Sequence, residues 1–331
     1  MYHYDTIYNE EIVIVVFQNK RSSSTLLKSE RIMMMCLEGW IIYNGHLTGN
    51  KFRDFAEWIQ NAGDRKGIKT KIIKNNHLFS ILSDNSSRLL NTSEQSLPDF
   101  VVFGDKDIPL ARQLEDMQIP VFNSAQAIST CDNKIETYRE LSNNKLAIPK
   151  TIVAPKIFPG LTQIEQEPFQ HVASELGFPL IIKEAYGSFG EQVYLITSFK
   201  EMLTKVMELK EVPYVFQQFV STSFGKDVRI NVVGDNVVAA MLRTSKEDFR
   251  ANVSAGGQME PYQPSQKEKE IAIAATRAVG ADFAGVDLLF GENKEPIVCE
   301  VNSNAHIRNI YDCTGVNVAD FIMNHIVNEV E

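Results

Sequence analysis

The chain has 331 residues, of which 44% are hydrophobic and 23% charged, and its formal charge at neutral pH is −9. That balance supplies a sizeable core and excludes a disordered polyelectrolyte, and the length suits roughly two or three domains. The acidic excess argues against a general nucleic-acid coat, which needs lysine and arginine to displace counterions.

The first strand-like run is Ile12 to Phe17, too short for a membrane span and without the basic flank of a signal peptide. Residues 1–35 read either as an extra edge strand and linker or as an upstream extension preceding a start at Met33, Met34 or Met35. From Gly39 the pattern clears. Gly39 to Tyr43 is a strand ending at the turn signal Asn44-Gly45, and Lys51 to Gly63 has helical spacing at Phe52, Phe55, Ala56 and Ile59. Strands at Lys69 to Ile73, Asp99 to Phe103 and Val121-Phe122, with a helix through Leu110 and Leu114, predict a parallel sheet and an α/β domain over 36–130. No Gly-x-Gly-x-x-Gly occurs there, so nothing marks a dinucleotide site.

The next block, 131–215, is expected to hold helices at Lys134 to Asn143, Glu167 to Leu176 and Lys200 to Leu209, with strands at Pro179 to Lys183 and Gln192 to Ile196 around a glycine loop. A third block, 216–331, takes strands at Val215 to Val220, Asp227 to Val233 and Val237 to Leu242. A helix at Lys267 to Val279, a hairpin over Ala284 to Val301 and a last helix at Val318 to Val330 follow. The order is an α+β half before a mostly antiparallel half.

The hairpin carries the sharpest chemistry. A turn centred between Asn293 and Lys294 sets Asp287 opposite Glu300, and period two puts Asn302 on the same face as Glu300. Two opposed carboxylates repel across a ladder unless a hard cation such as Mg²⁺ or Mn²⁺ lies between them. The rival is a solvated acidic face, which the apolar Val286, Leu288 and Leu289 make less comfortable. A second signal is Lys183 at the end of Leu180-Ile181-Ile182, beside Gly187-Ser188-Phe189-Gly190. Glycines admit backbone N–H groups to phosphate oxygens and lysine adds a point charge, although an ordinary strand–turn–strand has the same look. The third is Arg243 to Gly257, with Arg250 and Asn252, which reads as an anion-facing site or as a solvated loop. Arg229 shares a strand face with Asp227 and Asn231, where an ion pair is the plainer account. Four sparse cysteines without Cys-x-x-Cys predict reduced thiols in the cytoplasm, and scattered histidines speak against zinc.

The order of these segments resembles the ATP-grasp superfamily, and within it the RimK-type carboxylate–amine ligases. Ala284-Gly285-Val286-Asp287, Glu300-Val301-Asn302-Ser303-Asn304 and Phe249-Arg250-Ala251-Asn252 with Gly256-Gly257 carry it most specifically. The likeness spans 36–331 and is strongest over 131–320. It implies two α+β subdomains clamping ATP behind a Rossmann-like N-terminal α/β domain. Lys134 and Lys183 then reach the nucleotide, with Gly187, Ser188 and Gly190 in a lid over its phosphates. Gln217, Gln218, Phe219 and Val220 form the adenine hinge, with Asp227 beside it. Asp287, Glu300 and Asn302 become ligands of two Mg²⁺ (or Mn²⁺) ions, and Arg250, Asn252 and Arg229 hold the transferred phosphoryl group.

The implied reaction activates a carboxylate as an acyl phosphate and joins it to an amine, adding glutamate or another amino acid to a small molecule or peptide. A dimer or tetramer, without nucleic-acid or membrane partners, goes with it. Rival readings are a regulatory ATP binder without catalysis, and an enzyme that phosphorylates a hydroxyl or uses a thiol acceptor. This sequence departs from the family pattern at Gln218, where a glutamate is usual, at Val253 to Ala255, and at Ala305 to Tyr311. The last of these is expected to face the acceptor, with His306 as a candidate base.

Overall fold

A computed structural model describes residues 37–330, apart from 48, 85, 91–95, 159, 161–162, 188–189 and 252–255. The expected run at Ile12 to Phe17, Ser188, Asn252 and the status of residues 1–35 lie outside the described residues.

The chain opens on β1 (Glu38–Tyr43), α1 (Asn50–Asp64) and β2 (Lys69–Lys74). A hairpin follows, β3 (Ser80–Ser83) and β4 (Ser86–Leu89), then β5 (Phe100–Gly104), α2 (Ile108–Asp116) and β6 (Val121–Phe122). β2, β1, β5 and β6 pair in that order, all parallel. Ile41 and Ile42 point to opposite faces of β1 and both are 0% exposed, as a central parallel strand covered on two sides requires. The β3–β4 hairpin was not expected; its Leu82 is 80% exposed, so no buried stripe announces it.

Next come α3 (Ala125–Asp132), α4 (Lys134–Asn143), β7 (Thr151–Val153), α5 (Glu167–Leu176), β8 (Leu180–Glu184), β9 (Val193–Ile196), α6 (Phe199–Leu209) and β10 (Tyr214–Gln218). Ser124 caps α3 and Asn133 caps α4, each side chain accepting from a backbone amide inside its helix. The second sheet runs β7-β10-β8-β9, antiparallel throughout. This corrects one expectation: the strand read as opening the third block is central to the second sheet. Tyr214 and Phe216 pack into that sheet's own core while Val215 packs into the core of the next, so both faces of β10 are spoken for.

The third sheet is built from β11 (Lys226–Val233), β12 (Asn236–Thr244), β13 (Gln258–Pro261), β14 (Phe283–Phe290) and β15 (Pro296–Asn302), ordered β13-β12-β11-β14-β15. Helix α7 (Gln266–Ala278), opened by the Ser265–Glu268 capping box, covers one face. Val228, Ile230, Val232, Val286 and Val301 meet Ala272 and Ala275 there. Period two sends Asp227, Arg229 and Asn231 to the other face. Helices α8 (Ile307–Thr314) and α9 (Val318–Val330) close the chain, and their apolar sides share a core with α1 and β1.

The last hairpin has two registers. Gly285↔Asn302, Val286↔Val301 and Asp287↔Glu300 pair as expected, but Leu288↔Val298, Leu289↔Ile297 and Phe290↔Pro296 are one residue out of step. The turn centres on Asn293, whose φ is +53°, and Cys299 is the extra residue of a bulge.

Candidate active site

A cleft opens between the second and third sheets, lined by residues of both. Ile181, Val193, Leu289 and Phe249 give it apolar walls. Most residues singled out in the sequence line it: Lys134, Lys183, Gly187, Gly190, the stretch 217–220, Asp227, Arg250, Asp287 and Glu300. Arg229 and Asn302 are not among the lining residues, and Ser188 and Asn252 are outside the described residues.

The glycine loop joins β8 to β9. Gly187 has φ +144°, a backbone strained for any other residue, and a Cβ there would push against Gln192, meeting its Oε1 at 2.4 Å. Lys134, the first residue of α4, donates from Nζ to the Gly187 carbonyl at 3.2 Å. Burial lowers the pKa of Lys134; Glu300 works against this and Lys183 adds to it. Arg250 donates to the Gly190 carbonyl and forms a 2.7 Å ion pair with Asp248. Both cations thus grip the loop backbone.

Lys183 is 6% exposed. Its Nζ donates to the Tyr138 hydroxyl at 2.9 Å and lies 3.6 Å from Cys299 Sγ. Burial opposes its charge, but Cys299, Tyr138 and Glu300 outweigh it, and its pKa rises above the ordinary lysine value. Tyr138 donates its one proton to the Cys299 carbonyl at 2.7 Å, in preference to Gln217 Oε1 at 3.4 Å. A bulged residue loses its place in the ladder, so Tyr138 satisfies the carbonyl that the bulge set free. Tyr138 and Cys299 carried no signal in the sequence, because the bulge is set by the turn rather than by a motif.

At the other wall β10 runs out at Gln218, whose amide donates to the Lys150 carbonyl. Gln217 Nε2 donates to Thr151 Oγ1 at 2.8 Å. Phe219 follows Gln218, where β10 leaves the sheet. The Phe219 ring meets Phe224 and Phe249 edge to face, with centroids 6.3 Å apart in each pair.

Across the third sheet runs a buried charge ladder. Arg243 forks onto Asp227 at 2.6 and 2.7 Å and reaches Asp287 Oδ2 at 2.9 Å; Arg229 forks onto Asp287 at 2.7 Å twice. Burial works against ionisation of Asp287, yet Arg229 and Arg243 hold its pKa below the usual carboxylate value. At Asp227 burial wins and the pKa rises. The ion pair given as the plainer account of Arg229 is present, and its partner is Asp287. Arg243, read in the sequence only as the first residue of the third segment, lies in β12 and bridges two carboxylates, a role its sequence position does not show.

Glu300 faces Asp287 and its carboxylate has no hydrogen bond or ion pair among the described residues. The donor set suits a hard cation. Glu300 offers both oxygens, Asn302 its amide oxygen, and Asp287 Oδ1, which accepts a single bond, one remaining lone pair. Among the described residues no three His, Cys, Asp or Glu side chains gather. Gly285 lies between Asn231 and Asn302 in register, and a Cβ on it would sit 2.5 Å from the Ala305 Cβ.

The segment after Asn302 departs from expectation. Arg308 forks onto Asp54 of α1 and lies 5.3 Å over the Trp58 ring, while Ile307 and Ile310 enter the core. Residues 307–311 thus pack on α1, and His306 is not in the cleft lining. No helix among the described residues is long and apolar enough to cross a membrane.

Two antiparallel sheets facing each other across such a cleft, with a lysine at the mouth of a glycine hairpin, define an ATP-grasp protein. A model of the RimK-like ATP-grasp domain matches residues 131–326, and the chain belongs to that family. It is 31% identical over 290 residues to a probable alpha-L-glutamate ligase of Rhodopirellula baltica, covering 82% of this chain and 68% of that protein. It is 33% identical over 214 residues to the human N-acetylaspartylglutamate synthase A, covering 63% of this chain and 52% of the synthase. The chain therefore spans about half the length of the human relative. The ATP-grasp ligase PsnB, solved with a phosphomimetic variant of a minimal precursor, Mg and ADP, shares the fold. Its TM-score is 0.64 at 16% identity, over 88% of this chain and 98% of that one.

Proposed function

We propose that the protein is an ATP- and Mg²⁺-dependent ligase that activates a carboxylate as its acyl phosphate and joins it to an amine. The observation that carries this is the placement of Lys134, Lys183 and the Asp287–Glu300 pair around one cleft. In this reading Phe219 and its neighbours take the adenine through their backbone at the end of β10. Lys134 and Lys183 exchange the Gly187 carbonyl and the Tyr138 hydroxyl for phosphate oxygens. Arg250, with Asn252, trades the Gly190 carbonyl for the transferred phosphoryl group, and Arg229 steadies Asp287 from behind. Asp287, Glu300 and Asn302 hold Mg²⁺, which when bound neutralises charge on the β- and γ-phosphates.

The chain's own contribution is positioning and charge, since phosphoryl transfer needs no side-chain nucleophile. Gly187 to Gly190 exclude water from the acyl phosphate, which would otherwise hydrolyse. The amine then attacks the acyl carbon and phosphate leaves. The names of the bacterial and human relatives support an amino acid, glutamate above all, as one of the joined partners.

The test is ADP release from ATP and Mg²⁺ against pools of amino acids, dipeptides and cell metabolites, with mass spectrometry of the products and a Glu300→Gln control. Substrate-dependent ADP with a product heavier by one condensed amino acid is expected. ATP binding without turnover in any pool would instead favour a regulatory binder.

A further inference from the structure

Asn123 follows β6 and is 0% exposed. Its side chain reaches about 160 residues along the chain, to the third sheet. Nδ2 donates to the carbonyls of Phe283 and Ser303, both at 2.9 Å. Oδ1 accepts from the amides of Asp282 at 2.7 Å and Phe283 at 3.1 Å. All four bonding positions of the amide are used, and all four partners are backbone.

The two targets matter because of what they start and end. Phe283 is the first residue of β14, four before Asp287, and Ser303 follows Asn302, the last residue of β15. The last rung of the β14–β15 ladder is Gly285↔Asn302. Beyond it the Asn123 amide bonds to both strands, at Phe283 on one and Ser303 on the other. The same turn is tied to the first sheet once more, by Asn304 Nδ2 donating to the Asp105 carbonyl at 2.9 Å. The carbonyl of Ser303, one residue past the last rung, is thus held by Asn123 from beyond β6.

We infer that Asn123 is a positioning residue: its amide holds the open ends of β14 and β15 at the spacing that lets Asp287, Glu300 and Asn302 converge on one cation. The inference rests on the reading of those three residues as metal ligands. Supporting groups one step removed from the ligands typically alter metal affinity by about 10–100-fold when lost.

The experiment is a Mn²⁺ titration of the full chain, with a non-hydrolysable ATP analogue present and free Mn²⁺ read by electron paramagnetic resonance. Wild type, Asn123→Ala and Asn304→Ala are compared, and analogue binding is also measured without metal. Asn123→Ala is expected to weaken Mn²⁺ binding by about 10-fold or more with metal-free analogue affinity unchanged. A purely structural role would lower Tm and leave the Mn²⁺ affinity of the folded protein where it was, which would overturn the inference. Should Asn123→Ala not fold, Asn304→Ala decides: a several-fold weaker Mn²⁺ affinity supports the tether, and an unchanged one overturns it. A wild-type protein that binds the analogue but no Mn²⁺ would overturn the metal reading itself, a result distinct from the other two.

Discussion

Asp287 stands directly opposite Glu300 across β14 and β15, yet only Asp287 is neutralised by arginine. Glu300 faces the cleft with Lys134 and Lys183 as its nearby positive charges. Like charges opposed on a ladder cost only about 0.2–1 kcal/mol, and the two lysines offset much of that. Glu300→Gln is therefore expected to change the unfolding free energy by less than about 1 kcal/mol. Turnover should drop by two or three orders of magnitude, the usual loss when a main electrostatic stabiliser is removed. Denaturant melts and ADP-release assays on the same samples would check both halves; near-normal turnover would sink the metal assignment.

Arg243 is the shared cation of two buried carboxylates, and it is 3% exposed. Its replacement by methionine keeps most of the volume and leaves Asp227 without its fork. Breaking a buried pair by removing one partner costs roughly 3–5 kcal/mol. Arg243→Met should lower the urea midpoint by a corresponding amount, and Arg243→Met combined with Asp227→Leu should recover part of it. Equal midpoints for wild type and Arg243→Met would show that the ladder contributes nothing to stability.

Gly285 cannot carry a side chain while Ala305 keeps its own, because the two Cβ atoms would be 2.5 Å apart. Gly285→Ala should destabilise by roughly 1–3 kcal/mol, the usual range for forcing a group into a packed site. It should also weaken metal-dependent activity, since β15 must shift next to Asn302. Ala305→Gly should rescue both. Failure of the double variant to recover would mean that the strain lies elsewhere.

His325 on α9 lies 3.7 Å from Asp282, at the start of the β14 segment. The Asp282 carboxylate beside it raises its pKa above the usual 6.5, against a smaller effect of burial. A raised histidine binds its proton more tightly when folded, so its contribution is complete below pH 6.5 and is lost as pH rises through the folded value. Thermal melts should show wild type losing stability over that window relative to His325→Gln. Parallel pH curves for the two proteins would refute this.

Several elements were legible from local signals alone. The helices at Lys134–Asn143, Glu167–Leu176 and Val318–Val330 were read to the residue, because each has apolar spacing at its interior and a cap or breaker at an end. Gly177, with φ +71°, ends one of them. α3 and α8 were not read, being eight residues each and too short for a period of 3.6 to declare itself. The Asp287–Glu300 pairing was legible because strand alternation and a turn suffice to find it. The bulge at Cys299 was not, because moving the turn by one residue alters no residue type.

The chemistry-bearing residues and their order along the chain are thus a property of the sequence: lysine helix, lysine strand, glycine loop, and a hairpin with two carboxylates and an amide. Local propensity and alternation act over a few residues, and those suffice to say which side chains share a face. Only the tertiary structure decided that β10 is central to the second sheet, that Arg243 joins Asp227 to Asp287, that Arg308 turns away to Asp54, and that Asn123 ties the hairpin to the first sheet. Each depends on contacts between different elements of the chain. Such contacts are selected by how buried faces and buried charges find partners across the whole molecule, and no local pattern records that choice.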